Sequence, residues 1–502
     1  MQEIGTVISL NENPSSSEFW FVINSEDGMP IRRGQFVQLQ TEEGLLISRV
    51  AEIIKTNRYF NRAESVREYE RSGKPLLDVF PVDRWEYLVA QTIPLGIYDD
   101  GEQKRVSFPP SPGEKVYKVD EKILPKFFGF DENSGIDIGQ VEFHDIEAKL
   151  NITKLFQKHL AILAMSGAGK SYLASVLIEE ILDRSDSLGK PCIILIDPHG
   201  EYLRFAKDEK YISSTKVYNQ KNISIAAHHL SPYQIGELVP QMTAVQRREL
   251  VPVIQKLREK QRSYDLEDLI EAVEKSEIKP NTKYPLLSWL SDLNSTGLFS
   301  NSDSPDIGEL AKSGQISIFD LSDFVHLKAR QIILTYFGRK LFEARRMNRI
   351  PPYIFFVEEA HQFAPEGEEE NKALSKYLIE QVAREGRKFY ASLVLISQRP
   401  IRLSTTALSQ CNTHIILRVA NPYDIKHIGE SAEGITSDFL EMIPGLKVGE
   451  ALIVGEAVNY PLLVKIKNRK SKYSEKTASL ENALQDFKEK KKLESKDLDT
   501  FL

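Results

Sequence analysis

Cysteine is almost absent: 502 residues carry only Cys192 and Cys411. That excludes a disulfide framework and a cysteine-built zinc site, and a reducing cytoplasmic compartment is the simplest expectation. The nine histidines are scattered, and no His-Glu-x-x-His pair or other zinc spacing occurs. A basic excess is also missing. Lys and Arg total 65 against 72 Asp and Glu, a net charge of −7. A globally basic nucleic-acid binder is therefore excluded, although a local basic stripe or a basic ring lining an assembled pore is not. No apolar run approaches the ~18–20 residues that span a bilayer. The opening Met1-Gln-Glu lacks the basic-then-apolar order of a secretory signal, so no membrane partner is expected.

What is present divides along the chain. Residues 1–130 hold short apolar or alternating runs such as Phe19-Trp-Phe-Val-Ile and Gln35-Phe-Val-Gln-Leu-Gln, separated by turn residues such as Gly28-Met-Pro. That spacing predicts a small β-barrel. Asn61–Pro75 is charged and reads as an exposed excursion. From 136 strands and helices alternate. Leu160–Met165, Cys192–Asp197, Gln315–Leu321, Tyr353–Glu358, Ser392–Ser397, His414–Val419 and Ala451–Val454 are mostly continuous apolar runs. Such strands are buried on both faces, so an α/β fold with a parallel-rich sheet is predicted over 136–229 and 311–467. Residues 230–310 form a polar block with apolar positions at helical spacing, expected to be an inserted helical subdomain. Residues 468–502 are a Lys- and Glu-rich arm in which Leu480, Ala483, Leu484 and Phe487 share one helical face. Docking arm and solvated tail are equally good readings of it.

The strongest chemical signal is Leu160-Ala-Ile-Leu-Ala-Met-Ser-Gly-Ala-Gly-Lys-Ser171. A buried strand, a loop of small residues and a Lys-Ser at a helix start make a phosphate cradle, the P-loop. Ser166, Gly167, Ala168, Gly169, Lys170 and Ser171 would present backbone N–H groups to phosphate oxygens. Lys170 would reach the β/γ-phosphates, and the Ser171 hydroxyl would sit on Mg²⁺. Ala164 stands where the first glycine of the strict pattern falls. ATP with Mg²⁺ is the expected ligand pair.

Four further motifs extend that site. Tyr353-Ile-Phe-Phe-Val-Glu-Glu-Ala-His361 ends an apolar strand in two acids, where ligands bind in open α/β sheets. Glu358 is assigned to the metal's water shell and Glu359 to the attacking water. Neighbouring acids point to opposite faces of a strand, so they share a site only if the chain is already bending there. Gln398, just past Ser392-Leu-Val-Leu-Ile-Ser, could bond both a γ-phosphate and the attacking water. Val382-Ala-Arg-Glu-Gly-Arg-Lys-Phe389 clusters cations around a glycine; Arg384 and Arg387, and also Arg418, are candidates for an arginine acting on a neighbouring subunit's phosphate. The blander reading of that run is a solvated basic face. Asp197 and Glu201 follow a strand near the phosphates and would either assist Mg²⁺ or cap a turn. For the base, Tyr460 could stack with Asn459 beside it, against the plainer reading of a hairpin aromatic.

Taken together and in order, Met165-Ser-Gly-Ala-Gly-Lys-Ser171, Asp197-Pro-His-Gly-Glu-Tyr202, Val357-Glu-Glu-Ala-His361, Ala383-Arg-Glu-Gly-Arg-Lys388, Ile396-Ser-Gln-Arg-Pro400 and Val448-Gly-Glu-Ala-Leu-Ile-Val-Gly455 resemble the HerA family of RecA-like DNA translocases, within the wider HerA/FtsK group. The resemblance implies a RecA-like P-loop ATPase core, an N-terminal HAS-barrel and an inserted helix bundle. It also implies a homohexamer with ATP sites between subunits, driving double-stranded DNA through a central channel by ATP hydrolysis. A NurA-type nuclease partner, with DNA-end resection and recombinational repair beside Mre11–Rad50 in archaeal-type cells, is implied too. The chief rival is a protein-secretion or conjugation ATPase of the same RecA-like group, which usually works at a membrane. A nucleotide kinase or regulatory switch would have less use for paired acids and exposed arginines.

Overall fold

A computed structural model of the chain describes residues 2–9, 13–24, 31–57, 86–99, 102–367 and 373–471, with Glu64, Val66, Arg67, Arg71, Leu484 and Gln485 besides. The excursion expected at Asn61–Pro75 and the C-terminal apolar face lie, apart from those isolated positions, outside the described residues.

The N-terminal strands are β1 (Glu3–Ile8), β2 (Phe19–Ile23), β3 (Phe36–Thr41), β4 (Gly44–Asn57), β5 (Glu86–Asp99), β6 (Glu102–Lys104) and β7 (Lys115–Lys118). They follow the order β2-β1-β7-β3-β4-β5-β6, and β2 also pairs with β5. That extra pairing closes six strands into a barrel, with β6 hanging on its rim. Closure removes sheet edges, and the alternating residues Phe19, Phe21 and Ile23 fill the interior with Val37, Leu39 and Leu46.

The second sheet comprises β8 (Ile136–Val141), β9 (Glu147–Leu150), β10 (Leu160–Leu163), β11 (Cys192–Asp197), β12 (Thr215–Tyr218), β15 (Ile316–Asp320), β16 (Tyr353–Val357), β17 (Ala391–Ser397), β18 (Thr413–Ile416), β19 (Glu450–Gly455) and β20 (Leu462–Ile466), while β13 (Ile225–Ala226) and β14 (Phe299–Ser300) form a separate small pair. Its order is β12-β15-β11-β16-β17-β10-β18-β19-β20-β8-β9. The strands from β12 to β18 are parallel, and those from β19 to β9 continue antiparallel. All four residues of β10 are buried: Ala161 and Leu163 pack into one layer, Leu160 and Ile162 into the other. Continuous apolar sequence is what a strand covered on both faces requires.

One layer is helix Lys170–Asp183 together with the face of the barrel. The other holds helices Leu327–Arg346 and Lys376–Glu385 and the inserted helices Pro232–Leu238, Ala244–Lys260, Leu266–Glu274 and Pro280–Asn294. Ser231, Thr243 and Asp265 each close a capping box at the start of an inserted helix, so their boundaries are set locally. Among the described residues, no helix is long and apolar enough to cross a membrane.

The barrel joins the core at β3, where the Phe36 N–H donates to His144 Nε2 at 3.2 Å, and at two further places. Arg49 of β4 is buried, pairs with Asp438 and lies 4.3 Å over the Phe439 ring. Tyr460 stacks on Phe127, with ring centroids 5.0 Å apart and an 8° interplanar angle, while Asn459 Nδ2 donates to the Phe127 carbonyl at 3.0 Å.

Candidate active site

The parallel strands all end on one side, and Ser166–Ser171, Glu358, Glu359, Gln398 and Arg418 follow those ends. β10 ends at Leu163; after a short loop the helix begins at Lys170 with Gly169 as its N-cap. Gly167 has φ +78° and Gly169 φ +104°, backbone that side chains rarely tolerate. A Cβ added at Gly167 would meet nothing within 4 Å, so the loop faces open space. No side chain caps this helix. Its first N–H groups and the positive end of its dipole therefore point at the loop, which suits a phosphate. Ala164 is fully buried and is not among the positive-φ residues, so the position does not require glycine.

Lys170 is buried, and its Nζ is gripped by two carboxylates. It pairs with Glu358 Oε1 and lies 3.1 Å from Glu359 Oε1. Burial alone would lower its pKa, but the two carboxylates overturn this and hold it well above the ordinary lysine value. Glu358 moves up because it is fully buried; Lys170 and the Tyr202 hydroxyl pull it partly back. β16 ends at Val357, and Glu359 takes the left-handed conformation, φ 52°. The chain has thus left the strand between the two acids, which is how adjacent residues come to share one lysine. A non-glycine residue held there costs about 1–2 kcal/mol, a strain characteristic of functional turns.

Asp197 is engaged by its own turn. Its carboxylate accepts from the backbone N–H groups of His199 (3.3 Å), Glu201 (3.1 Å) and Tyr202 (2.9 Å). Burial pushes its pKa up to about 6 against the pull of those three bonds. The turn it ties delivers Tyr202, fully buried, whose hydroxyl donates to Glu358 Oε2 at 2.7 Å. Tyr202 is a site residue that reading the sequence did not single out, although it lies within the quoted Asp197–Tyr202 motif. Glu201 is exposed.

Gln398 follows β17, which lies between β16 and β10. Leu163 pairs with Ser397, and Ala164 N–H donates to the Ser397 carbonyl at 3.2 Å. The backbone at Gln398 is therefore held beside the cradle, and the residue is partly exposed. Arg418 is also at this end: its carbonyl accepts from Met165 N–H at 2.8 Å, and the residue is exposed.

Two expected groups are elsewhere. Arg384 and Arg387 precede β17 and so lie at the opposite end of the sheet from the chain's own cradle; both are exposed, and Arg384 pairs loosely with Glu380 at 3.6 Å. Asn459 and Tyr460 also belong to the opposite end. β19 runs antiparallel to β18, so the 456–461 connection lies near the start of β10, where Glu456 pairs with Lys158 at 2.6 Å. The assignment of Asn459 and Tyr460 to the base is therefore corrected: both are committed to Phe127 and the barrel seam. A cavity of about 860 Å³ instead opens beside Gly167 and Gly169, walled by Tyr172, Phe143, Leu417 and Ile466. Sequence reading missed it because its walls come from five separate segments.

The donors present fit a nucleotide with Mg²⁺. The helix that opens at Lys170 has no side-chain cap, although the Ala168 N–H of the loop is bonded to the Met165 carbonyl at 3.2 Å; Ser171 is partly exposed at the second helical position, and Glu359 Oε2 is a buried oxygen without a hydrogen-bond partner. Among the described residues, no cluster of His, Cys, Asp and Glu forms a metal site by itself, so an ion here would rely on phosphate and water oxygens.

A family model described as the central domain of the helicase HerA matches residues 136–341. The chain is 30% identical to the DNA double-strand break repair helicase HerA of Saccharolobus solfataricus over 71% of this chain and 73% of that one. It is 28% identical to the protein of the same name from Pyrococcus furiosus over 91% of each. The structure of VirB4 from Thermoanaerobacter pseudethanolicus superposes with a TM-score of 0.54 at 18% identity, covering 68% of this chain and 98% of that one, a likeness of fold alone. With the cradle, the paired acids and the Asp197–Tyr202 turn in place on a RecA-like core, the chain belongs to the HerA family.

Proposed function

We propose that this chain is an ATP-driven translocase on double-stranded DNA that works as a homohexameric ring, with a NurA-type nuclease in DNA-end resection. The observation that carries the reading is the convergence of Lys170, after β10, with Glu358 and Glu359, after β16, at the same end of the parallel sheet with β17 between them. Lys170 would exchange its carboxylate partners for β/γ-phosphate oxygens. Ser171 and Glu358 would hold Mg²⁺, directly and through water, and the ion would neutralise charge building on the phosphates. Glu359, with one oxygen unpaired, is suited to polarise the attacking water; Gln398 is suited to orient it. Tyr172, Phe143, Leu417 and Ile466 would enclose the nucleoside. Arg384 and Arg387 lie too far along the sheet to serve their own cradle, which leaves a neighbour's site as their place of action. The relatives' names supply the DNA substrate and the repair context. The likeness to VirB4, being one of fold, does not favour a secretion role.

The test is ATP hydrolysis by the purified oligomer with and without duplex DNA at two salt concentrations. Turnover should rise with DNA, and the stimulation should weaken with salt as phosphate contacts release counterions. Lys170→Ala should abolish nucleotide binding or turnover. A hexamer unresponsive to DNA even with its nuclease partner would overturn the translocase reading.

A further inference from the structure

His361 is the one polar side chain of the Val357-Glu-Glu-Ala-His361 motif without a role so far. It begins nothing catalytic by sequence position: it lies in a single helical turn, Ala360–Gln362, after the second acid. Its ring is mostly buried, 11% exposed. Nδ1 is 3.1 Å from Ser397 Oγ and 3.4 Å from Glu359 Oε2. That Glu359 oxygen is buried and otherwise unpartnered. Ser397 is the last residue of β17, immediately before Gln398, and its Oγ also accepts from Arg399 N–H at 3.1 Å.

The two neighbours decide which ring nitrogen carries the proton. A lone pair on Nδ1 would point at a buried carboxylate oxygen and repel it. A proton on Nδ1 would be attracted by that oxygen and accepted by the serine hydroxyl. Burial lowers the imidazole pKa, and Arg399, Arg402 and Lys170 add to that against Glu359, all of which favours the neutral ring with one donor nitrogen. Nδ1–H is therefore hydrogen-bonded to Ser397 Oγ, on the strand end that carries Gln398, and lies 3.4 Å from Glu359 Oε2, which it attracts without a formed hydrogen bond.

We infer that His361 is a positioning residue for hydrolysis: held by Ser397, its Nδ1–H attracts the free oxygen of Glu359 toward the strand end that carries Gln398, so that the carboxylate and Gln398 keep a common register about the attacking water. This rests on the assignment of Glu359 above. It differs from a packing role because it requires a donor at Nδ1, and the two amide residues separate these. Asparagine places its NH₂ close to the Nδ1 position; glutamine places its NH₂ near Nε2.

The experiment compares His361→Ala, His361→Asn and His361→Gln with wild type in steady-state ATP hydrolysis and nucleotide binding, with Glu359→Gln as the control. His361→Ala and His361→Gln should each lose about three- to tenfold in kcat, the scale of one neutral hydrogen bond, with ATP affinity within about twofold of wild type. His361→Asn should recover most of the turnover. Equal activity of Asn and Gln variants, or full activity of the Ala variant, overturns the inference, as does a loss confined to ATP affinity. If Glu359→Gln itself turns over normally, the assignment of the site has failed; if that variant is inactive while His361→Ala is normal, only the role of His361 has failed.

Discussion

Removing one oxygen atom from Tyr202 tests how the site holds its metal-side acid. The Tyr202 hydroxyl is fully buried and donates to Glu358 Oε2 at 2.7 Å, while Lys170 takes Oε1. Tyr202→Phe keeps the ring and its packing and deletes only the donor. A hydrogen bond to a charged acceptor contributes about 1.5–3 kcal/mol, and a buried oxygen left without a partner loses most of it. At about 1.4 kcal/mol per factor of ten, kcat should fall about 10- to 150-fold if Glu358 must stay ionised and oriented. The hydrogen bond favours the ionised carboxylate, so its loss raises the Glu358 pKa further above the usual range. The acidic limb of the kcat profile should therefore move to higher pH, and the defect should be larger at pH 6 than at pH 8. Steady-state hydrolysis across pH is the assay, with ATP affinity measured separately. In a Glu358→Gln background the tyrosine change should add little. Turnover within about twofold of wild type with an unmoved acidic limb would refute the reasoning, and so would additive effects of the two changes.

Two further outcomes follow from other parts of the chain. His414 is buried on β18 with neither ring nitrogen hydrogen-bonded, and burial takes its pKa down to about 4. Its neutral form is required in the fold, so its contribution is complete above the unfolded value of about 6.5 and is lost as pH falls to about 4, up to about 3 kcal/mol. His414→Leu should leave stability at pH 7 equal or higher and make unfolding less sensitive to acid between those limits; lower stability at pH 5 in chemical denaturation would contradict this. Arg387→Ala should impair hydrolysis in assembled rings and regain turnover in rings mixed with Lys170→Ala subunits that supply the arginine; mixtures no more active than their components would argue against action across an interface.

The fold was legible in the sequence wherever one physical demand dominated. Strands buried on both faces must be continuously apolar, and each such run is a strand of the parallel set or its immediate continuation. The cradle was legible because close backbone approach needs small residues in a row. What escaped depended on contacts between distant segments. Tyr202 and Glu358 are 156 residues apart, and no local pattern announces their hydrogen bond. For Asp197 the sequence left metal assistance and turn capping equally open, and three backbone N–H groups of its own turn favour the second. Tyr460 resembled a base-stacking aromatic, but antiparallel pairing of β19 with β18 carries it to the far end of the sheet. Strands β8 and β9 alternate weakly, and their membership of the core sheet follows from pairing with β20 rather than from composition.

The central claim is that Lys170, Glu358 and Glu359 form one hydrolytic site. Its most direct test is ATP binding and hydrolysis by Glu359→Gln in the presence of duplex DNA. The amide keeps the size of the side chain and removes the charge that polarises water. ATP should bind with near wild-type affinity while turnover falls by about two orders of magnitude or more. Wild-type turnover in that variant would contradict the account.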